Sequence, residues 1–225
     1  RTTGLHQDRE PVLTYVRWVL VNKRDLNAAA PEPCVPDLPE AVAPGALVPP
    51  AAYADWSASM TGSASVLSDY GIGDRIDHVD GMTLEEAEHQ IATRLYQNTA
   101  RVHFDALARR SGQGRDEQRL VYGGVVMSLA RALSVNGLTN AAQILALNAG
   151  RHVAPVHAGD TLYAWSEVLD RATLSETVGA LRLRLIATRN RPCDGFPLKT
   201  EAGGDDPAVV LDLDYWAAVP LQTTP

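Results

Sequence analysis

Cysteine, phenylalanine and methionine are scarce in this chain, at two, two and three residues among 225. The two cysteines, Cys34 and Cys193, stand far apart with no C-x-x-C pair. A zinc site built on cysteines is therefore excluded, and a disulfide framework is not expected. No apolar run approaches the roughly 20 residues that cross a bilayer, and no signal-peptide pattern is visible. Positive charge is also short: 20 Lys and Arg face 27 Asp and Glu, leaving a net charge of −7 and a pI near 5.3. That balance argues against nucleic acid or a membrane surface as a general partner. A reducing cytoplasm is the expected location. Apolar residues, in contrast, make up 45% of the chain, enough to build the core of one large domain or two small ones.

Pro11 to Val21 reads as a strand of β-branched and aromatic residues. Prolines at 31, 33, 36, 39, 44, 49 and 50 then exclude a regular helix and predict an extended connector. Residues 54–70 carry little pattern. Thr83, with Glu86 three residues on, predicts an N-cap and a helix to about Gln97, with Leu84, Ala87, Ile91 and Leu95 inward. A short helix over Val102–Arg110 and a polar loop follow. The stretch from Gly123 predicts an apolar helix with Val125, Val126, Leu129, Ala130 and Leu133 on one face, stopped near Asn136-Gly137. Strands are expected at 143–148, 162–169, 181–188 and 208–218; L-R-L-R-L-I-A-T alternates as a half-buried strand should. The first and last strands also resemble each other faintly, as in a duplicated unit.

Chemistry concentrates between Tyr96 and Leu133. Asn98 and His103 lie five apart, and Gly123-Gly124 opens the apolar helix. Free N–H groups and the positive end of a helix dipole at such a start can hold a negatively charged oxygen. Imidazole titrates near neutral pH and suits a general base. The glycines also have a plainer use, admitting close packing. Arg151 and His152 could face a substrate carboxylate or form a surface pair, and Tyr96 and Tyr122 could line a pocket or the core. Arg182, Arg184, Arg189 and Arg191 suit a solvated strand face, with a phosphate contact as the alternative. His152 and His157 are five apart, but nothing suggests a metal site.

The segments Q-N-T-A-R-V-H (97–103), Y-G-G (122–124) and A-P-V-H-A-G-D-T-L-Y-A-W-S-E-V-L-D (154–170) resemble the MaoC-like hydratases of the hot dog fold. That family's pattern is G-D-x-N-P-I-H with a later H-G. More narrowly, T-R-L-Y-Q-N-T-A-R-V-H-F, L-V-Y-G-G and S-L-A-R-A-L-S-x-N-G-L are similar to the branch acting on mesaconyl-CoA and β-methylmalyl-CoA. The resemblance implies an α+β hot dog fold, an antiparallel sheet wrapped around a central helix. It further implies the second unit of a double hot dog, with the first largely missing. On this reading residues 1–25 are terminal strands of the first unit, 26–70 a linker and 71–220 the MaoC-like domain. The start at Arg1 rather than Met agrees with it.

The implied activity is a hydro-lyase adding water to an enoyl-CoA thioester. His103 would be the base, Asn98 would orient water, and the Gly124 N–H would donate to the thioester oxygen. Tyr96, Tyr122, Gly123, Arg151 and His152 would contact substrate. No metal or redox cofactor is called for, and the partners are acyl-CoA and further copies of the chain. The alternatives are an R-specific 3-hydroxyacyl-CoA dehydratase for other chains, or a non-catalytic acyl-CoA-binding subunit. The sequence departs from the family where its acid is Asn98 and its second Asn is Ala100.

Overall fold

The computed structural model describes residues 1–18, 23–53, 55–111 and 117–221, which form two units, 1–38 and 39–225. The end of the strand predicted to Val21 and part of the polar loop lie outside the described residues. In the first unit, β1 (Thr2–Leu5) pairs antiparallel with β2 (Pro11–Tyr15). The hairpin closes through the N–H of His6 donating to Glu10 O at 3.0 Å.

The second unit is built on a six-stranded antiparallel sheet. Its path runs β3 (Arg75–Asp77), β6 (Thr161–Thr173), β7 (Val178–Arg189), β8 (Val209–Pro220), β5 (Gln143–His152), with β4 (Met82–Thr83) also on β6. Helix α1 (Ala58–Thr61) precedes these strands in sequence, and α2 (Glu86–Leu95), α3 (Ala106–Arg110) and α4 (Gly123–Leu133) lie between β4 and β5. The strand period of two sorts each strand onto two faces. Leu181, Leu183, Leu185, Leu211, Leu213 and Tyr215 turn inward, and α4 packs Val125, Val126, Leu129, Ala130 and Leu133 onto them in one core. A sheet wrapped on one central helix is the hot dog arrangement. The helix ends at Leu133, and shortly after it the chain kinks at Gly137, which takes φ +95°, a conformation that side chains resist.

Arginine and aspartate alternate on the outer face. Arg182 pairs with Asp214 at 2.6 Å and with Glu40, and Arg184 pairs with Asp212 at 2.8 Å. Arg191 is held by Asp206, and Arg189 donates to Pro155 O. These four arginines are thus matched to protein oxygens, as a strand face rather than an anion site. Beside this ladder two small clusters close the outer face, one around Trp165 and Cys193 and one around Trp216 and Leu47. Burial pushes the Cys193 thiol up to about 11.

Two expectations change. Residues 39–70, expected as linker, pack on the second unit: Leu47, Trp56, Leu67 and Tyr70 are buried, and Asn140 gives both amide hydrogens to Ser63 O and Ser65 O. A proline-bearing segment with only short helical turns can still supply apolar side chains to a sheet face. The α2 helix also begins later than expected. Thr83 is in β4, the cap is Glu85, and the Glu88 carboxylate accepts the Glu85 N–H at 3.4 Å. Its buried residues are His89, Gln90 and Thr93, while Ile91 and Leu95 are 59% and 73% exposed. Leu84 is buried as expected, but ahead of the helix. No helix among the described residues is long and apolar enough to cross a membrane.

Candidate active site

The site is assembled by the extended segment Leu120–Tyr122, which leads into α4. On one side the Leu120 N–H donates to Val102 O at 3.1 Å, and on the other the Val121 N–H donates to Val156 O at 2.9 Å. This clip brings together the turn holding His103, the start of α4 and the chain just after β5. His103 ends a 3-10 turn over Arg101–His103. Its Nδ1 lies 3.0 Å from Leu120 O. A carbonyl oxygen only accepts, so Nδ1 carries the hydrogen and Nε2 keeps the lone pair, the tautomer that a base requires.

The N–H groups of Gly123 and Gly124 open α4, where no side chain caps them. Both glycines are needed for close approach. A Cβ on Gly123 would stand 2.4 Å from His152 Nε2, and one on Gly124 would stand 2.9 Å from the Tyr122 ring. The Tyr122 ring is in turn 5.7 Å from the His103 ring. The glycine pair therefore makes room for two site rings. The plainer reading, close packing, is correct in kind, but what packs there is a histidine and a tyrosine.

Asn98 is placed by the end of α2. The chain closes with a Schellman motif: Asn98 N–H donates to Thr93 O and Gln97 N–H to Arg94 O, both at 3.0 Å. Gln97 takes the left-handed position at φ +50° that glycine usually fills. Asn98 Oδ1 then accepts the Ala100 N–H at 2.9 Å, so that oxygen shapes the turn leading to His103.

Behind His103 stand two residues that pattern reading missed. Gln90, buried, donates from Nε2 to the His103 backbone oxygen at 2.7 Å. Its Oε1 is buried without a hydrogen-bond partner among the described residues. His89 is fully buried, with Nε2 3.6 Å from Glu86, which also pairs with Arg119. Burial, and then the charge of His103, hold the His89 imidazole below its ordinary range. His152 is shifted the same way by the same two causes, although its residue surface is exposed; the ring, tucked against Gly123, is the desolvated part. The sequence signal for α2 was there: His89, Gln90 and Thr93 at i, i+1 and i+4 define one face, but a polar one.

Not every expected residue joins this cluster. Tyr96 is 72% exposed at the end of α2. Arg151 turns away from His152, as neighbours on a strand do, and makes a two-pronged pair with Asp205 at 2.7 and 2.6 Å. Arg151, and after it Lys199, hold the Asp205 carboxyl far below the usual range, and the pair engages the guanidinium expected at a substrate carboxylate. Among the described residues, no group of three or more His, Cys, Asp or Glu is placed to hold a metal ion.

With this geometry in place, relatives give it a setting. The β-methylmalyl-CoA dehydratase of Chloroflexus aurantiacus is 52% identical over 223 residues, which are 97% of this chain and 63% of that protein. The mesaconyl-CoA hydratase of Cereibacter sphaeroides is 54% identical, over 98% of this chain and 63% of its own. A solved structure of a MaoC domain protein from Chloroflexus aurantiacus superposes with a TM-score of 0.91 at 52% identity, covering 98% of this chain and 63% of that one. The chain is thus similar to MaoC-like proteins over almost its whole length. No family model matches it, so the placement rests on these relatives and on the hot dog architecture. The chain spans 63% of the length of the curated relatives it matches.

Proposed function

We propose that the protein is a hydro-lyase that reversibly adds water across the double bond of an enoyl-CoA thioester, with mesaconyl-CoA and β-methylmalyl-CoA as the pair. One observation carries the reading. His103 presents a free Nε2 lone pair, its Nδ1 tied to Leu120 O, beside a helix start whose two glycines leave N–H groups uncapped. Water addition needs a base at the water and donors at the enolate oxygen that develops on the thioester. His103 is the base and Gly124 N–H the donor, with Asn98 beside the turn to orient water. The names of the two curated relatives support the choice of acyl group. Only protons and one carbon–oxygen bond move, so the reaction calls for no metal or redox cofactor.

The long, exposed edge strand β5 supports pairing of copies edge to edge, since unpaired backbone groups there invite another strand. The free thiols Cys34 and Cys193 support a reducing cytoplasm as the location. Incubation with mesaconyl-CoA and with crotonyl-CoA, followed by loss of the conjugated thioester's ultraviolet absorbance, tests the function. Mesaconyl-CoA is the expected better substrate, and His103→Ala is expected to lower its kcat by about 10²–10⁴-fold. Unchanged turnover in that variant removes the base assignment. One observation favours binding without turnover: Asn98 Oδ1 is engaged in a turn. Tight acyl-CoA binding with no hydration would establish that second reading.

A further inference from the structure

Hydration moves two protons, one off the water and one onto the α-carbon, and the residues so far assigned account for only the first. His103 works through a single nitrogen, because Nδ1 is committed to Leu120 O. Asn98 is an amide that neither gains nor loses a proton near neutrality, and its oxygen is held by the Ala100 N–H. An acid for the second step must stand at the start of α4, next to the N–H groups proposed for the enolate oxygen. The α-carbon is bonded to the carbon that bears that oxygen, so a group seated there is within reach of it.

We infer that His152, whose Nε2 occupies the space a side chain on Gly123 would fill, is the proton donor to the substrate's α-carbon. The assignment rests on the proposed hydration. In the step, His103 Nε2 takes a proton from water while the water oxygen bonds to the β-carbon, and the π pair moves to the thioester oxygen. That pair then returns to re-form the carbonyl as the α-carbon takes its proton from Nε2 of His152 in its protonated form, which burial and the charge of His103 make the stronger acid. His103 ends with one proton more and His152 with one fewer, and solvent restores both. The two rings are electrostatically coupled, so the charge that His103 gains favours loss of the His152 proton. Gly123 has a stated use in this arrangement: any larger residue would drive His152 from the helix start.

The test is steady-state hydration of mesaconyl-CoA by the full chain with His152→Gln and His152→Ala, circular dichroism serving as the fold check. A proton donor predicts that both variants fold and lose kcat by about 10²–10³-fold while KM stays within about threefold. A rise in KM with kcat preserved would make His152 a binder of the substrate's carboxylate and overturn the assignment. So would wild-type kcat in both variants, or failure of both to fold, which would make it a packing residue. No hydration by the wild-type chain would remove the proposed function and this assignment with it. Active wild type with unimpaired variants would remove the assignment alone.

Discussion

Helix α4 buries Val125, Val126, Leu129, Ala130 and Leu133 in the sheet's core, whereas α2, one residue shorter, turns His89, Gln90 and Thr93 inward and leaves Ile91 and Leu95 in solvent. Both are helices of similar length next to the same site, yet they bury opposite chemistry. The apolar helix contributes free energy of burial, and its start supplies N–H groups. The polar-faced helix contributes position: its buried side holds the backbone at His103, and its end sets Asn98. In this protein the stability of the fold and the arrangement of the site are carried by different helices.

The comparison breaks most readily at Leu133. Leu133→Ala is expected to cost about 2–5 kcal/mol of unfolding free energy in a urea titration, the range for a buried leucine. A cost below about 1 kcal/mol would mean that α4 is not the helix the core depends on. Gln90→Leu should cost less, about 1–2 kcal/mol, because it leaves the half-buried His103 oxygen without its donor. Its signature is in the hydration rate, which is expected to fall together with stability, and normal turnover would deny α2 its positioning role.

Acid sharpens the contrast more gently. His78, fully buried between Asn136 O and Ser166 Oγ, and His89 are both held below the ordinary imidazole value of 6.5 by burial. The unfolded chain protonates at that value while the folded chain resists. The stability they confer is therefore complete above about pH 6.5 and lost as the pH falls through the lowered folded values. Thermal melts from pH 7 down to about 5 should show a falling Tm, and a rising one would contradict the buried neutral state. The smallest effect belongs to Ile91→Ser, expected within about 0.5 kcal/mol of wild type in the same urea titration.

Much of this was legible in the chain. L-R-L-R-L-I-A-T gave β7 its two faces because strand periodicity is strict, and the apolar spacing from Gly123 marked α4 and its buried side. The turn residues around Asp160 and the strands on either side also fell where expected, within a few residues. His103 and the glycine pair were visible through spacing and resemblance. What pattern could not show was α2's orientation, since Ala87, Ile91 and Leu95 form a good apolar stripe that the fold leaves outside. Nor could it show the strap over 39–70, whose seat is a sheet face made by distant strands, or the bond that ties Arg151 to Asp205. Each of these depends on a tertiary partner far along the chain.

That strap has a consequence for the order in which the molecule comes together. Thr61 reaches Asn140, 79 positions on, and the Trp216 indole N–H reaches back 174 positions to Val42 O. During synthesis the strap leaves the ribosome well before the strands that receive it. Leu47, which packs with Trp216, must therefore wait in water until β8 exists. Contacts so distant in sequence close late, so the nascent chain carries the strap's apolar side chains exposed until the strands that receive them are made.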